Sequence, residues 1–131
     1  MSSKLKLSEE NSEKLDELSR KLGLRRNIVC RIAIGRSVAR GSLDNITLDD
    51  FMDNKGYEFN RYTLTGEYDD YFKALIVQAQ KSKLNDNEYF KLYLRKHIER
   101  GISIMHKEYQ QVRSKYTYLT KLANSEKVIE A

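Results

Sequence analysis

The sequence contains no proline, no tryptophan, a single cysteine and two histidines among its 131 residues. Because proline interrupts helices more strongly than any other residue, its absence permits long helices. The one cysteine, Cys30, cannot form a disulfide within the chain, and it cannot supply a metal site built from several thiolates. These absences favour a mainly α fold and a reducing, cytoplasmic location.

Long hydrophobic runs are also missing. A membrane-spanning helix requires about 18 or more apolar residues in a row, and no such stretch occurs. The first 18 residues alternate charges instead of forming the apolar centre of a signal peptide. We therefore expect neither export nor a membrane segment. The composition, 40% hydrophobic and 33% charged, is typical of one globular domain with charged outer faces.

Motifs of reaction centres are equally scarce. His97 and His106 stand nine residues apart, with neither an HExxH motif nor cysteine partners, so no metal site is predicted. The glycines form neither a dinucleotide-binding loop nor an ATP-binding loop. Cys30 lies in the apolar run NIVCRIAIG, where burial raises the pKa of a thiol and makes it unreactive. We expect no cofactor and no enzymatic activity; the alternative is a small enzyme that uses His97 with Arg100.

Charge is abundant, and it is unevenly distributed. Residues 1–41 carry ten Lys or Arg against five Asp or Glu, residues 42–70 carry two against eight, and residues 71–131 carry twelve against six. The three segments have net charges of +5, −6 and +6, which sum to +5. Two basic arms that flank an acidic middle attract a polyanion while keeping part of the surface away from it.

The N-terminal arm predicts a strand and then a helix. The run KLKL alternates lysine with leucine, which is the period of a half-buried strand. Ser8 is a candidate N-cap for the helix, and Gly23 is a candidate end. The apolar stripe of this helix consists of Leu15, Leu18 and Leu22.

A second helix is predicted to begin near Arg25 or Asn27 and to end near Ala39. Apolar residues surround most of its circumference, so it is either a central helix or one buried by a second copy of the chain. Strand, helix, glycine turn and helix is the layout of a ribbon-helix-helix protein, whose strands pair across a dimer and enter a DNA groove. On that interpretation Lys4 and Lys6 point outward. The alternative is a frayed N-terminus followed by an ordinary helical hairpin.

The acidic middle predicts a short helix, an irregular segment and a longer helix. Thr47 begins the short helix, with Asp50 placed for a capping box and Gly56 just beyond the end. An irregular or extended segment follows up to Thr65. The longer helix starts near Glu67, and its inner side consists of Tyr71, Phe72, Leu75, Ile76 and Ala79.

The C-terminal third predicts a long helix that is capped by Asn85 or Asp86. Its apolar residues mostly recur in alternating steps of four and three, as in a helical seam: Leu94, Ile98, Ile102, Met105, Tyr109, Val112, Tyr116, Leu119 and Ala123. At 1.5 Å per residue, the thirty residues from Leu94 to Ala123 span about 45 Å, so we expect another subunit to cover the seam. The alternative is a break near Gly101 or within residues 107–115. By domain, we predict a helical unit over residues 1–105 and a helical extension or frayed tail over residues 106–131.

Three segments of the chain resemble the DndE family, the small E component of the bacterial Dnd system of DNA phosphorothioation. They are LGLRRNIVCRIAIGRSV at residues 22–38, GYEFNRYTLTGEYDDYF at residues 56–72, and LRKHIERGI at residues 94–102. The resemblance covers residues 5–105, and no motif matches from His106 onward.

The resemblance implies a role in a cytoplasmic machine that replaces a non-bridging phosphate oxygen of DNA by sulfur. Its other components are a cysteine desulfurase, an iron–sulfur protein and an ATPase-like protein. The chain would be the DNA-binding accessory subunit, with little sequence specificity and a preference for nicked or locally opened duplex. The candidate phosphate contacts are Lys4, Lys6, Arg25, Arg26, Arg36, Arg40, Lys91, Arg95 and Lys96. Among them, Lys91, Arg95 and Lys96 would form a basic ridge on the last helix, which Arg100 extends by a further turn.

The polar groups of the central motif are expected to stabilise the fold rather than to react. The aromatic and leucine side chains would pack an irregular segment against the helices: Tyr57, Phe59, Tyr62 and Leu64. Asn60 and Arg61 would satisfy backbone groups or pair with nearby acids, namely Glu58, Glu67 or Asp69. His97 and Arg100, one turn apart, would close the same cluster. The predicted structural set is Asn60, Arg61, Gly66, His97 and Arg100.

Two further alternatives for the function stay open. One is a protein-interaction adapter of the same complex, in which the acidic middle docks on the ATPase-like partner. The other is a ribbon-helix-helix repressor, which would prefer one palindromic operator. For the assembly, a buried second helix and a long seam would supply two different interfaces, so we predict a homo-tetramer.

Overall fold

A computed structural model describes residues 4–43 and 50–130, with side chains up to residue 124. In the described residues two short strands and six helices follow one another: β1 (Lys4–Lys6), α1 (Glu9–Leu22), α2 (Arg26–Ala39), β2 (Glu58–Asn60), α3 (Arg61–Leu64), α4 (Asp69–Gln80), α5 (Arg95–Val112) and α6 (Lys115–Glu130). A 3-10 turn, Gly66–Tyr68, precedes α4, and a π-helical segment, Glu88–Leu94, precedes α5. The predicted mainly α fold is confirmed.

The N-terminal strand is confirmed, and it is ordered by a partner from the same chain. β1 and β2 pair antiparallel, with Leu5 opposite Phe59. Both side chains are buried, whereas Lys4 and Lys6 point outward, as the alternation predicts. In a ribbon-helix-helix protein this pairing joins two chains, but here it is made within one.

Helix α1 has the predicted cap, stripe and end. The Ser8 hydroxyl oxygen accepts a hydrogen bond from the backbone N–H of Asn11. Its leucine stripe is fully buried. At the other end Gly23 has φ +67°, a left-handed conformation that favours glycine because it lacks a Cβ.

Helix α2 is central, and it is covered within the chain rather than by a second copy. Its buried side includes Val29, Cys30 and Ala33. Burial raises the pKa of the Cys30 thiol, as the apolar run predicted. The backbones of α2 and α5 approach so closely that a Cβ on Gly101 would lie 2.0 Å from the carbonyl oxygen of Ala33.

The expectation of one 45 Å helix is wrong, and the alternative of a break within residues 107–115 is confirmed. Arg113 has φ +49° and ends α5, after which α6 packs beside it. The rings of Tyr109 and Tyr118 lie 5.9 Å apart, and Tyr118 is fully buried. The seam of α5 is likewise buried within the chain at Ile98 and Ile102, so no second subunit is needed to cover it. Helix α5 also runs through the boundary that was predicted at residue 105.

The acidic middle differs from the prediction in detail. The predicted helix start at Thr47 lies outside the described residues, and residues 51–57 form bends rather than a helix. The predicted irregular segment contains β2 and α3. Helix α4 buries Phe72 and Ile76, whereas Tyr71 is 60% exposed. No helix in the described ranges is long and apolar enough to cross a membrane.

The last predicted cap is confirmed. The side chain of Asn85 accepts a hydrogen bond from the Glu88 backbone N–H at 2.8 Å, and the Glu88 carboxylate accepts one from the Asn85 backbone N–H at 3.0 Å. This reciprocal pair is a capping box. The π-helical segment that follows leads into α5 and turns Tyr89, Phe90 and Leu94 into the core.

Candidate nucleic-acid interface

A basic groove of about 330 Å³ lies beside β1, and we call it the β1 groove. Lys4 and Lys6 reach it from the outward face of the strand, while Lys91 reaches it from the π-helical segment. The Lys91 ammonium donates a hydrogen bond to the Lys4 carbonyl oxygen at 3.3 Å. Its complete lining is Lys4, Leu5, Lys6, Asn54, Glu58, Lys91 and Arg95. One carboxylate thus faces four cations.

A second groove of about 460 Å³ lies at the start of α2, and we call it the α2 groove. It is lined by Ser19, Arg25, Arg26, Asn27, Tyr57, Glu58, Phe59, Asn60 and Thr63. The Arg26 guanidinium lies 4.9 Å from the centre of the Tyr57 ring and pairs with Asp16 at 2.5 Å. The Asn27 amide donates to the Thr63 carbonyl oxygen and joins the start of α2 to α3. Because Glu58 lines both grooves, the two adjoin.

Arg95, predicted to lie on an exposed basic ridge, is only 6% exposed. Its Nε donates to Glu99 at 2.9 Å, and its Nη1 donates to the Asn54 side chain at 2.6 Å. The guanidinium also lies 4.0 Å from the centre of the Phe51 ring. The reason is tertiary: residues 51–54 fold over the start of α5 and enclose this side chain. Arg95 therefore stabilises the fold and does not form part of an exposed basic ridge.

Lys96 is half-buried and holds the same segment from the other side. Its ammonium donates to the Asp50 carbonyl oxygen at 3.0 Å and lies 5.4 Å from the centre of the Phe51 ring. The neighbouring carboxylate, Glu99, accepts a hydrogen bond from the Ser8 hydroxyl at 2.5 Å, which ties α5 to the start of α1. These contacts explain why the two basic side chains beside Lys91 are not part of a continuous ridge.

The two remaining predicted cations lie at the far end of α2. Arg36 pairs with Glu108 of α5, and Arg40 is exposed. At 1.5 Å per residue, 15 residues separate Arg40 from Arg25 by about 22 Å. The structure therefore brings Lys4, Lys6, Lys91, Arg25 and Arg26 together and places Arg36 and Arg40 elsewhere.

The predicted structural role of the central motif rests on Arg61. This guanidinium pairs with Asp69, as expected, and also with Asp86, which sequence reasoning missed. Hydrogen bonds to Asp86 and Asp69 raise the pKa of Arg61. The Asn60 side chain caps α3 by accepting from the Tyr62 backbone N–H at 2.9 Å. Arg61 also lies 4.6 Å from the centre of the Phe90 ring, so it joins three elements.

The aromatic packing predicted for this motif is half correct. Phe59 and Leu64 are buried, but Tyr57 is partly exposed and Tyr62 is 86% exposed. Gly66 has φ +53°, which glycine adopts without strain, and it starts the 3-10 turn.

His97 and Arg100 do not close the Arg61 cluster, contrary to the expectation. They form a separate cluster around Ser37 of α2, whose hydroxyl lies 2.8 Å from His97 Nδ1 and accepts from Arg100 Nε at 2.7 Å. His97 is fully buried, and burial together with the charge of Arg100 lowers its pKa to about 4. Ser37 lies on α2, 60 residues before His97 in the chain, so spacing along α5 alone did not reveal it as the partner.

A third basic groove, which sequence reasoning missed, lies where α2, α5 and α6 meet. Arg40 and Arg100 line it together with Lys107 and Lys121. The sequence feature that could have indicated this groove is the spacing of Arg100 and Lys107, which places them two turns apart on one face of α5. No group of histidine, cysteine and carboxylate side chains suited to a metal ion occurs in the described part of the chain.

Comparison with known proteins identifies one family and several solved structures of similar fold, among them two of DndE. The family model described as "DNA sulphur modification protein DndE" matches residues 4–113. The crystal structure of DndE from Escherichia coli B7A, involved in DNA phosphorothioation modification, is 21% identical with a TM-score of 0.57, covering 79% of this chain and 96% of that one. The crystal structure of a DndE glycine-to-lysine mutant, involved in DNA phosphorothioation, has 19% sequence identity and a TM-score of 0.54. The match covers 79% of this chain and 97% of the mutant chain. No curated protein matches the chain.

Proposed function

Since the chain belongs to the DndE family of DNA sulphur modification proteins, we propose that it is a DNA-binding accessory subunit of a DNA phosphorothioation complex. The observation that carries the proposal is the junction of the β1 and α2 grooves. Besides the buried Arg95, five cations line these adjoining grooves: Lys4, Lys6, Lys91, Arg25 and Arg26. Lysine and arginine side chains in such a groove contact phosphates and carry little sequence information.

Salt dependence tests the phosphate contacts. About six contacts give a slope near −5 when the logarithm of the association constant is plotted against the logarithm of salt concentration. Fluorescence anisotropy with a labelled duplex measures this slope. A flat dependence would contradict the proposed mechanism.

Neutralising the lysines of the β1 groove tests whether DNA binds there. We expect the double variant Lys4→Gln with Lys6→Gln to reduce the salt slope by about 2, because each lost phosphate contact removes about 0.9. The matched control is Lys21→Gln with Lys83→Gln, which removes two exposed lysines outside both grooves. Equal losses in the two double variants would show that net charge, and not the β1 groove, determines affinity.

A preference for nicked or locally opened duplex is a further part of the proposal. It is supported by Tyr57 and Arg26 in the α2 groove, because aromatic rings and guanidinium groups are the surfaces on which unpaired bases stack. We expect Tyr57→Ala to lose the preference and Tyr116→Ala, an exposed tyrosine on α6, to keep it. Equal affinity of the wild type for nicked and intact duplexes of one sequence removes this part of the proposal.

The chain is proposed to do no chemistry itself and to work with the cysteine desulfurase, the iron–sulfur protein and the ATPase-like component. The Ser37–His97 pair supports this proposal. Its hydroxyl and imidazole are hydrogen-bonded as a serine nucleophile and its general base would be. Both side chains are fully buried, so a substrate does not reach them. Modification retained in cells that carry a folded His97→Gln variant would support this role.

The exposed acidic surface of residues 62–71 is the proposed contact surface both for a tetramer and for the adapter alternative. Tyr62, Tyr68 and Tyr71 are exposed there beside Glu67 and Asp70. Exposed aromatic residues are enriched at protein interfaces, and the acids complement the basic grooves of another copy. We therefore propose a homo-tetramer. The second candidate function is an adapter that docks another Dnd protein on this surface.

A further inference from the structure

The third basic groove, which we call the α6 groove, has a volume of about 440 Å³. This volume lies within the range of small-molecule sites. It is lined by Arg40, Arg100, Ser103, Ile104, Lys107, Glu108, Gln111 and Lys121. Four cations from three helices thus face one carboxylate.

That carboxylate is already engaged by other side chains. Glu108 pairs with Arg36, and it accepts a hydrogen bond from the Tyr118 hydroxyl at 2.9 Å. Its charge is therefore shared with a guanidinium outside the lining of the groove. Among the described side chains, no carboxylate forms an ion pair with Arg40, Lys107 or Lys121.

Arg100 is held in a fixed orientation within this groove. Its Nη2 donates to the carbonyl oxygens of Ser37 and Gly41 at 2.6 and 2.7 Å, and its Nε donates to the Ser37 hydroxyl. Burial and the positive charge of Arg40 lower the pKa of this guanidinium. Two arginines of like charge are thus close together, and neither forms an ion pair with a carboxylate among the described side chains.

We propose that Arg40, Arg100, Lys107 and Lys121 form a phosphate-binding site at the junction of α2, α5 and α6. A guanidinium with a fixed orientation and two exposed ammonium groups match the oxygen atoms of a phosphate group. The phosphoryl group can come from a small free phosphate or from the phosphodiester backbone of DNA. The site is separate from the β1 and α2 grooves and does not rest on their role.

The test uses the full-length chain and the double variant Lys107→Gln with Lys121→Gln. Isothermal titration calorimetry with pyrophosphate probes a free phosphate, and fluorescence anisotropy with a DNA duplex probes the phosphodiester. We expect affinity for at least one probe to fall about tenfold or more, because each hydrogen bond to a charged group contributes about that factor. A loss confined to pyrophosphate identifies a small ligand, and a loss confined to DNA identifies the backbone.

Controls separate the site from general charge and from misfolding. Lys107→Arg with Lys121→Arg keeps the charges and should keep the affinity, whereas Lys21→Gln with Lys83→Gln removes two exposed lysines elsewhere and should leave it unchanged. The unfolding midpoint of the Lys107/Lys121 glutamine variant should match that of the wild type, because both side chains are exposed. The β1-groove variant Lys4→Gln with Lys6→Gln should keep its pyrophosphate affinity, which distinguishes failure of this site from failure of the proposed function.

Unchanged affinity for both probes in the Lys107/Lys121 glutamine variant would overturn the proposal. Equal losses in that variant and in the Lys21/Lys83 control would also overturn it, since they would reflect net charge alone. Binding of polyglutamate, with no binding of pyrophosphate or DNA at these lysines, would assign the groove to an acidic protein partner instead.

Discussion

Arginine side chains in this basic protein divide into those that hold the fold and those that face solvent. Arg61 joins α3 to α4 and to the residues before the π-helical segment, Arg95 joins α5 to residues 53–54, and Arg100 joins α5 to the end of α2. Each donates hydrogen bonds to carbonyl or carboxylate oxygens of another segment, so its guanidinium is engaged within the fold. Net charge therefore overstates the number of cations that are available to a polyanion.

The cluster of His97 predicts how stability depends on pH. Its neighbours from the surrounding helices are Ser37, Gln80 and Arg100. The pKa of this histidine is about 4 in the folded chain and about 6.5 in the unfolded chain. Between these values the unfolded state binds the proton and the folded state does not. The free energy of unfolding therefore rises with pH in this range, and the contribution of the neutral His97 to stability is lost as pH falls.

We expect His97 to contribute a loss of up to about 3 kcal/mol in the free energy of unfolding between about pH 6.5 and about pH 4. Urea unfolding midpoints at several pH values in this window measure the effect. His97→Gln should show a weaker pH dependence than the wild type, although carboxylates titrate in both proteins. Parallel pH curves for the two proteins would contradict the assignment.

At the scale of elements, the crossing of α2 and α5 organises the core. Gly101 permits it, because a Cβ there would lie 2.0 Å from the Ala33 carbonyl oxygen and 2.8 Å from the Ala33 Cα. These are backbone atoms of a central helix, so they cannot move aside as the end of a flexible side chain does. The close approach also places Arg100 against Ser37 and so forms one wall of the α6 groove.

We expect Gly101→Ala to lower the free energy of unfolding by about 3 kcal/mol, since the two helices must separate to admit the methyl group. Gly35→Ala on α2 is the matched control, because a Cβ there meets nothing within 4 Å. That control should be neutral or stabilising by up to about 1 kcal/mol, as alanine favours a helix more than glycine does. Chemical denaturation measures both variants. Similar stabilities for the two would show that the crossing is looser than described.

At the scale of the whole molecule, the surfaces open to contacts between copies differ from those that the sequence suggested. The sequence suggested that a second copy covers α2 and the seam of α5, but the chain buries both surfaces itself. The contact proposed between copies is the exposed acidic, tyrosine-rich surface of residues 62–71. The proposed assembly therefore uses an exposed surface of mixed polarity rather than an uncovered core.

Light scattering measures the assembly directly. The chain has a mass of 15.4 kDa, so the proposed tetramer would have a mass of about 62 kDa. We expect Tyr62→Ser with Tyr71→Ser to lower the measured mass, because these exposed rings are the apolar part of the proposed interface. Tyr116→Ser on α6 is the control and should leave the mass unchanged. A wild-type mass of 15.4 kDa would contradict the tetramer and favour the adapter function of the same surface.

Local patterns in the sequence were sufficient to predict α1, α2 and α4, the cap before the π-helical segment and the orientation of β1. Ser8, Gly23 and Asn85 act on backbone groups within a few residues, and leucine spacing reports which side of a helix is buried. The family resemblance was likewise visible in contiguous segments. These features depend on neighbours along the chain, so they can be predicted from the sequence without the tertiary structure.

Only the tertiary structure decided which charged residues face solvent and which are internal. Arg95 meets Asn54 from 41 residues away, and Arg36 meets Glu108 from 72 residues away. Nothing in the local spacing of either arginine distinguishes it from Lys91 or Arg40. The physical reason is that an ion pair or a groove requires atoms brought within a few ångströms by packing, whereas periodicity describes one helix face at a time.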